Sequence, residues 1–250
     1  MDYFDVSRRG GVAVLTLQRG KVNAINAPVV SEFQAVLDET AGDASAGALV
    51  LTGHGKFFSF GLDVPGLYAL SREDFTSFLR SFTGVYLSIY TYPKPVVAAL
   101  NGHAIAGGCM LAIACDRRLM VEGKAKIALN EITFGSTVFA GSTEILRACV
   151  GQRNAERVML SGAMFDAGQA LALGLVDHAV AADDLLPLAI EEAGAMASRD
   201  SAAFRSMRNL LRGRIAEAIR RCEEESIREF VEIWYSESTR QQLKRIVIRD

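Results

Sequence analysis

Asn101–Asp116 reads NGHAIAGGCMLAIACD, and with the preceding PKPVVAAL it decides the fold. From Pro95 to Cys115 the chain runs 21 residues with few polar groups, long enough to raise the question of a membrane helix. Asn101, His103 and the pair Gly107–Gly108 interrupt that run at mid-length. A strand over Pro95–Leu100, a turn, and an apolar helix starting near the glycines account for all of them. The stretch therefore reads as strand–turn–helix, and no membrane partner is expected.

Working outward, Gly11–Gln18 (GVAVLTLQ) and Gly47–Thr52 (GALVLT) have the β-branched character of strands. Between them Val29, Val30, Phe33, Val36 and Leu37 recur at helical spacing within Ala27–Thr40. Strand, helix and strand in that order imply a right-handed crossover and a largely parallel sheet, hence an α/β protein. Ser71 followed by Asp74 opens a second helix that must stop before Pro93 and Pro95. Short strands are expected at Arg118–Val121 and Lys126–Leu129, then helices at Ser142–Val150, Asn154–Ser161 and Ala167–Leu173. Two or three longer helices fill the last third, so residues 1–182 are taken as a core and 183–250 as a helical appendage. Ile227, Phe230, Val231 and Trp234 form an apolar stripe in that appendage, suited equally to an oligomer contact or to the chain's own core.

Composition narrows the function. The chain has 250 residues, half of them hydrophobic, and a formal net charge of −2, which offers no electrostatic footprint for nucleic acid. Four cysteines without CxxC spacing point to reduced thiols and to neither zinc nor disulfides. His54, His103 and His178 are scattered, so no metal site is expected. The N-terminus lacks secretory and transit character, which makes the cytoplasm the expected location, with an organelle matrix after processing as the alternative. GxSxG, GxxxxGK[ST] and strand-borne GxGxxG patterns are missing, which removes support for serine hydrolysis, nucleotide hydrolysis and dinucleotide binding.

Two glycine-containing turns and one carboxylate remain. FFSFGLDV (Phe57–Val64) and AIAGGCMLA (Ala104–Ala112) each end a strand at glycine. Backbone N–H groups at such turns could converge on a developing oxyanion, or the glycines could serve close packing. Glu131, among Ile127, Leu129, Ile132 and Phe134, is either a buried base with raised proton affinity or a strand-end residue facing water.

Taken in order, VNAIN (Val22–Asn26), FFSFGLDV, NGHAIAGGCMLAIACD and DAGQALALGLVDHAV (Asp166–Val180) resemble the crotonase, or enoyl-CoA hydratase/isomerase, superfamily over nearly the whole chain. The resemblance implies a crotonase-like spiral of ββα units with two roughly perpendicular sheets. It also implies a C-terminal helical region that builds a homotrimer or dimer of trimers. It makes acyl-CoA the substrate, with no separate cofactor, in fatty acid metabolism. It places the thioester oxygen on the N–H groups of Leu62 and Gly107, and coenzyme A near Val22 and Ala24 and along Phe60, Gly61, Leu62, Asp63 and Val64.

Departures from the pattern choose among reactions. Phe60 stands where many members have a small residue, and no lysine follows Asp63, which leaves the phosphate contacts to other residues, such as the basic Lys244, Arg245 and Arg249 of a neighbour. Hydratases of the family carry a glutamate directly after the cysteine of this motif; here Met110 follows Cys109. With one carboxylate in LNE, the pattern is similar to the mitochondrial type of Δ3,Δ2-enoyl-CoA isomerase, which assigns the base to Glu131. Met110, Ile132, Phe134 and Phe139 are expected to form the pocket wall. Hydration, other acyl-CoA chemistry of the superfamily and noncatalytic acyl-CoA binding stay open.

Overall fold

The computed structural model describes residues 1–248; Arg249, one of the basic residues considered for phosphate, lies outside them. The chain opens with a hairpin that the sequence reading did not include. Strands β1 (Phe4–Arg9) and β2 (Val12–Leu17) pair antiparallel, Arg9 opposite Val12. Gly10 and Gly11 between them have φ of +56° and +79°. Such a two-residue turn needs positive φ at both positions, which is why RGGV turns the chain.

The chain then repeats one motif. After β2 come β3 (Ala24–Ile25) and α1 (Ala27–Gly42). Next come β4 (Ala48–Gly53), β5 (Phe57–Ser59) and β6 (Gly61–Leu62), followed by α2 (Val64–Tyr68) and α3 (Arg72–Tyr90). The third round is β7 (Val96–Leu100), β8 (His103–Ile105) and α4 (Gly107–Ala114). The fourth is β9 (Arg117–Val121), β10 (Ile127–Ala128), a single 3₁₀ turn at Glu131–Phe134, and α5 (Ala140–Ser161). The first strand of each round joins a six-stranded sheet in the order β1-β2-β4-β7-β9-β11, parallel except for the hairpin. The second joins the smaller parallel sheets β10-β8-β5 or β3-β6. This is the expected crotonase spiral of ββα units.

The chain continues through α6 (Ala167–Leu173), β11 (His178–Val180), α7 (Ala182–Ala197), α8 (Ser201–Trp234) and α9 (Glu237–Leu243). The two helices expected at 142–161 form one span, kinked at Gly151, where φ is +75°. Local chemistry sets the other boundaries: Asn26 accepts the N–H of Val29 at the start of α1, and Ser71 that of Asp74 at the start of α3.

The large sheet is buried on both faces, as parallel sheets must be. Val12, Val14, Val50 and Val97 meet Leu185, Ala189 and Ala193 of α7 on one side. Ala13, Leu15, Leu49 and Leu51 join the main core on the other. The stripe Ile227, Phe230, Val231 and Trp234 belongs to that main core, so for these four residues the intramolecular reading holds. Helix α8 is fastened by cations. Buried Arg208 donates to Ile89 O at 3.0 Å, to Lys94 O at 2.8 Å and to Tyr92 O. Arg212 reaches Tyr90 O at 3.0 Å and Ala114 O at 3.3 Å, and both guanidiniums pair with Asp116. These carbonyls cluster at the C-terminal ends of α3 and α4, where positive charge is favoured.

Candidate active site

The two turns singled out in the sequence come together. Gly61 has φ of +90°, and a Cβ there would lie 2.7 Å from Ile105 O and 2.8 Å from Gly107 N, so only glycine lets β6 approach the start of α4. Leu62 follows in β6, where Asp63 N–H is committed to Ile25 O at 2.8 Å. Alternation along the strand turns the Leu62 N–H to the opposite edge, toward α4. Gly107 is the first residue of α4, so its N–H is one of the donors a helix leaves without an internal acceptor. Ala106 before it adopts φ of +50°, a strained conformation for a residue with a side chain. The second glycine has a different job. A Cβ on Gly108 would lie 2.3 Å from Ser59 O, so Gly108 permits α4 to press on β5.

Facing this pair is a cavity of about 210 Å³ lined in part by Phe60, Leu62, Val64, Gly107 and Met110, with Glu131, Phe134 and Phe139 on the other elements. Glu131 begins the 3₁₀ turn and is 5% exposed. Burial pushes its carboxyl up to about 8, offset only in part by a hydrogen bond from its own backbone N–H. Its Oε2 has no partner among the described residues. The arrangement can hold a developing anion on backbone donors while one carboxyl group of raised proton affinity moves a proton beside it.

Helix α8 builds another wall. Phe230 stacks on Phe139 with ring centroids 4.5 Å apart, and Trp234 stacks on Phe75 at the same distance. Farther up the helix, Glu223 accepts the N–H of Gly141 at 2.7 Å and the Tyr86 hydroxyl, and Ser226 accepts the N–H of Ala140 at 3.1 Å. These bonds cap α5 and fix the entry of Phe139 into the cavity wall. Thr239 of α9 donates to Gly135 O at 2.5 Å, holding the segment just after Glu131.

Several expectations change in detail. Ile132 does not line the cavity: it is 49% exposed, because three residues per 3₁₀ turn send it away from the side of Glu131. Val22, Ala24 and Asp63 lie in an adjoining depression with Arg19, Lys21 and Ile248. Arg19 bridges Asp63 at 2.6 Å and Ala24 O at 2.9 Å, bracing the two strands beside Leu62. Sequence reasoning missed Asn130, Ser136 and Ile246 as cavity residues and treated Phe230 and Trp234 only as a stripe. Adjacency to Glu131 was the available signal for Asn130; Ser136 depends on the turn after Glu131, where its N–H bonds Glu131 O at 3.0 Å, and Ile246 comes from sequence-distant packing. Among the described residues no group of three or more His, Cys, Asp and Glu converges as a metal ion would require. None of the described helices is long and apolar enough to cross a membrane.

The spiral fold, with a buried carboxyl group in an apolar cavity beside two glycine turns, is that of the crotonase class of acyl-CoA enzymes. The family profile "Enoyl-CoA hydratase/isomerase" matches residues 7–246. A probable enoyl-CoA hydratase of Rhizobium meliloti is 37% identical over 194 residues, covering 77% of this chain and 74% of that protein. The mitochondrial enoyl-CoA delta isomerase 1 of Mus musculus is 32% identical over 177 residues, covering 70% and 61%. In structure, human mitochondrial delta3-delta2-enoyl-CoA isomerase superposes with a TM-score of 0.93 over 97% of this chain and 95% of that one, at 24% identity, a likeness of fold. The chain belongs to the enoyl-CoA hydratase/isomerase family.

Proposed function

We propose that this enzyme shifts the double bond of a 3-enoyl-CoA to the 2-position, using Glu131 as its only acid–base group. The observation that carries the reading is one buried carboxylate in a cavity whose wall presents Met110, 2% exposed, where a second carboxylate would be needed for hydration. The thioester oxygen sits between the N–H groups of Leu62 and Gly107. Ionised Glu131 removes an α-proton, and the C–H electron pair passes into the thioester carbonyl as an enolate that is conjugated with the neighbouring double bond, a dienolate whose γ-carbon can accept a proton. The two donors stabilise that oxyanion; one such donor is worth on the order of 100- to 1,000-fold in other enzymes. Protonated Glu131 then delivers the proton to the γ-carbon, giving the conjugated 2-enoyl-CoA. A thioether takes no part in proton transfer, and Phe134, Phe139 and Met110 supply apolar walls that disfavour added water.

Coenzyme A extends past Phe60 and Val64 toward Val22 and Ala24, into the depression that Arg19 and Lys21 also line. The exposed face formed by Met207, Leu210 and Leu211 on α8 supports the expectation that the C-terminal helices carry a subunit contact. The test supplies purified protein with a 3-enoyl-CoA and follows the conjugated-thioester absorbance, beside a hydration assay on a 2-enoyl-CoA. Isomerisation should dominate; fast hydration without isomerisation would refute the single-base reading.

A further inference from the structure

Among the described residues, five buried side-chain nitrogen or oxygen atoms have no hydrogen-bond partner: Asn130 Oδ1, Glu131 Oε2, Ser136 Oγ, Arg208 Nε and Trp234 Nε1. Four of those five belong to side chains that line the one cavity beside Gly107. Folded proteins rarely leave such groups unpaired, so their concentration at one place calls for a cause. Proton transfer accounts for Glu131. It does not account for the other three.

Their chemistry is specific. Trp234, 1% exposed, carries an indole N–H that can only donate. Ser136, 8% exposed, has a hydroxyl without a partner among the described residues and free to donate. The unpartnered atom of Asn130 is its Oδ1, an acceptor, so the donors here are those of Ser136 and Trp234. These atoms are closed to bulk solvent, so a group that enters the adjoining cavity of about 210 Å³ is what can pair them. A plain hydrocarbon would leave the donors stranded, whereas a chain bearing an acceptor at the matching place would engage them. Sites built around buried hydrogen-bonding groups discriminate strongly against analogues that lack the complementary atom.

The sign of the acceptor also follows. Among the described residues no Lys, Arg or His lines this cavity, so a carboxylate tail would bring a second negative charge beside Glu131 without a counter-ion. We propose that the acyl group this site takes carries an uncharged acceptor oxygen, with a keto group as the best match, received by the donors of Ser136 and Trp234. This specificity rests on the acyl-CoA reading above.

The test uses saturated thioesters, so it does not depend on catalysis of the double-bond shift. Hexanoyl-CoA, 4-oxohexanoyl-CoA and 5-oxohexanoyl-CoA are titrated calorimetrically into the full-length protein. At least one oxo chain should bind tenfold or more tightly than hexanoyl-CoA. Trp234→Phe, which keeps a ring and removes the N–H, or Ser136→Ala, which removes the hydroxyl, should collapse that ratio toward one. Equal or tighter binding of hexanoyl-CoA by the unmodified protein would overturn the inference while leaving the acyl-CoA reading intact. So would an oxo preference that survives both substitutions. Failure of all three thioesters to bind would remove both readings together.

Discussion

Replacing Glu131 by Gln tests the energetic meaning of its burial. The carboxyl rises from an ordinary 4.5 to about 8 because the folded chain holds it away from water. At about 1.4 kcal/mol per pH unit, ionising it in the fold costs on the order of 5 kcal/mol relative to the unfolded chain. A raised carboxyl favours the protonated folded state. Its contribution is therefore fully present below pH 4.5 and is lost as pH rises toward 8, above which the whole cost is felt. Gln keeps the shape and cannot ionise. The variant should exceed the parent in stability by roughly 2 kcal/mol at pH 6 and about 5 kcal/mol at pH 9, a gap that widens by about 3 kcal/mol.

Urea unfolding of both proteins at the two pH values measures this gap, and taking the difference cancels groups they share. Among those groups is Glu223, which burial pushes up to about 7. Kinetics gives the complementary readout. For the parent, kcat/KM on a 3-enoyl-CoA should rise tenfold per pH unit and bend over near pH 8, because only the ionised form accepts the α-proton. The variant should be inactive throughout. A stability gap that stays constant from pH 6 to 9, or a rate profile that bends at pH 4 to 5, would refute the claim that the cavity desolvates its base.

The remaining predictions concern the scaffold and the choice of reaction. Arg208→Ala leaves Asp116 short of one partner and strands the carbonyls of Ile89, Tyr92 and Lys94; a loss of about 3–5 kcal/mol in chemical denaturation is expected. Gly108→Ala drives a Cβ to 2.3 Å from Ser59 O, a backbone collision that should lower the thermal midpoint by more than 10 °C or prevent folding. Gly107→Ala puts a Cβ 3.1 Å from Phe82 Cζ and 3.4 Å from Gly61 Cα and Leu62 Cδ2, with no collision under 3.0 Å; it should fold, yet lose at least tenfold in kcat as the Gly107 N–H shifts. Met110→Glu adds a second carboxylate to the cavity wall; isomerisation should fall, and hydration of a 2-enoyl-CoA should rise above the parent's background.

Much of the spiral could be read from sequence because its elements announce themselves locally. Asn26 and Ser71 mark helix starts, Pro93 and Pro95 end α3, and the β-branched runs at residues 12–17 and 48–53 lie in the sheet. The hairpin β1–β2 was legible too, in Gly10–Gly11, but Phe4–Arg9 has three Asp and Arg side chains and looked less like a strand. The motifs FSFGLD, AGGC and LNE point to Leu62, Gly107 and Glu131, and the fold brings these three to one cavity. The cavity's far wall was not legible, because Ser136 depends on the turn after Glu131 and Trp234 lies about a hundred residues away along the chain. Ile132 failed for a related reason: hydrophobicity alone does not say which way a 3₁₀ turn faces.

The glycine pair shows how one motif can carry two physical demands. Gly108 permits the contact with Ser59, and that contact sets where α4 begins against β5; Gly107 then falls where Gly61 brings β6 close, so packing brings the two turns together. The same economy holds on α8. Arg208 and Arg212 fasten one end of the helix to the ends of α3 and α4, Glu223 and Ser226 cap α5 in its middle, and Phe230 and Trp234 line the cavity near its end. A rigid helix of 34 residues thus links the strut that positions α4, with Gly107 at its start, to the wall opposite Glu131. Maintaining a carboxyl group in an apolar cavity requires walls that do not relax around its charge, and these anchors provide that stiffness. The C-terminal helix is therefore a part of the base's environment, and substitutions at Arg208, far along α8 from Trp234, should loosen that wall and bring the pH at which the rate bends back toward the ordinary carboxylate range.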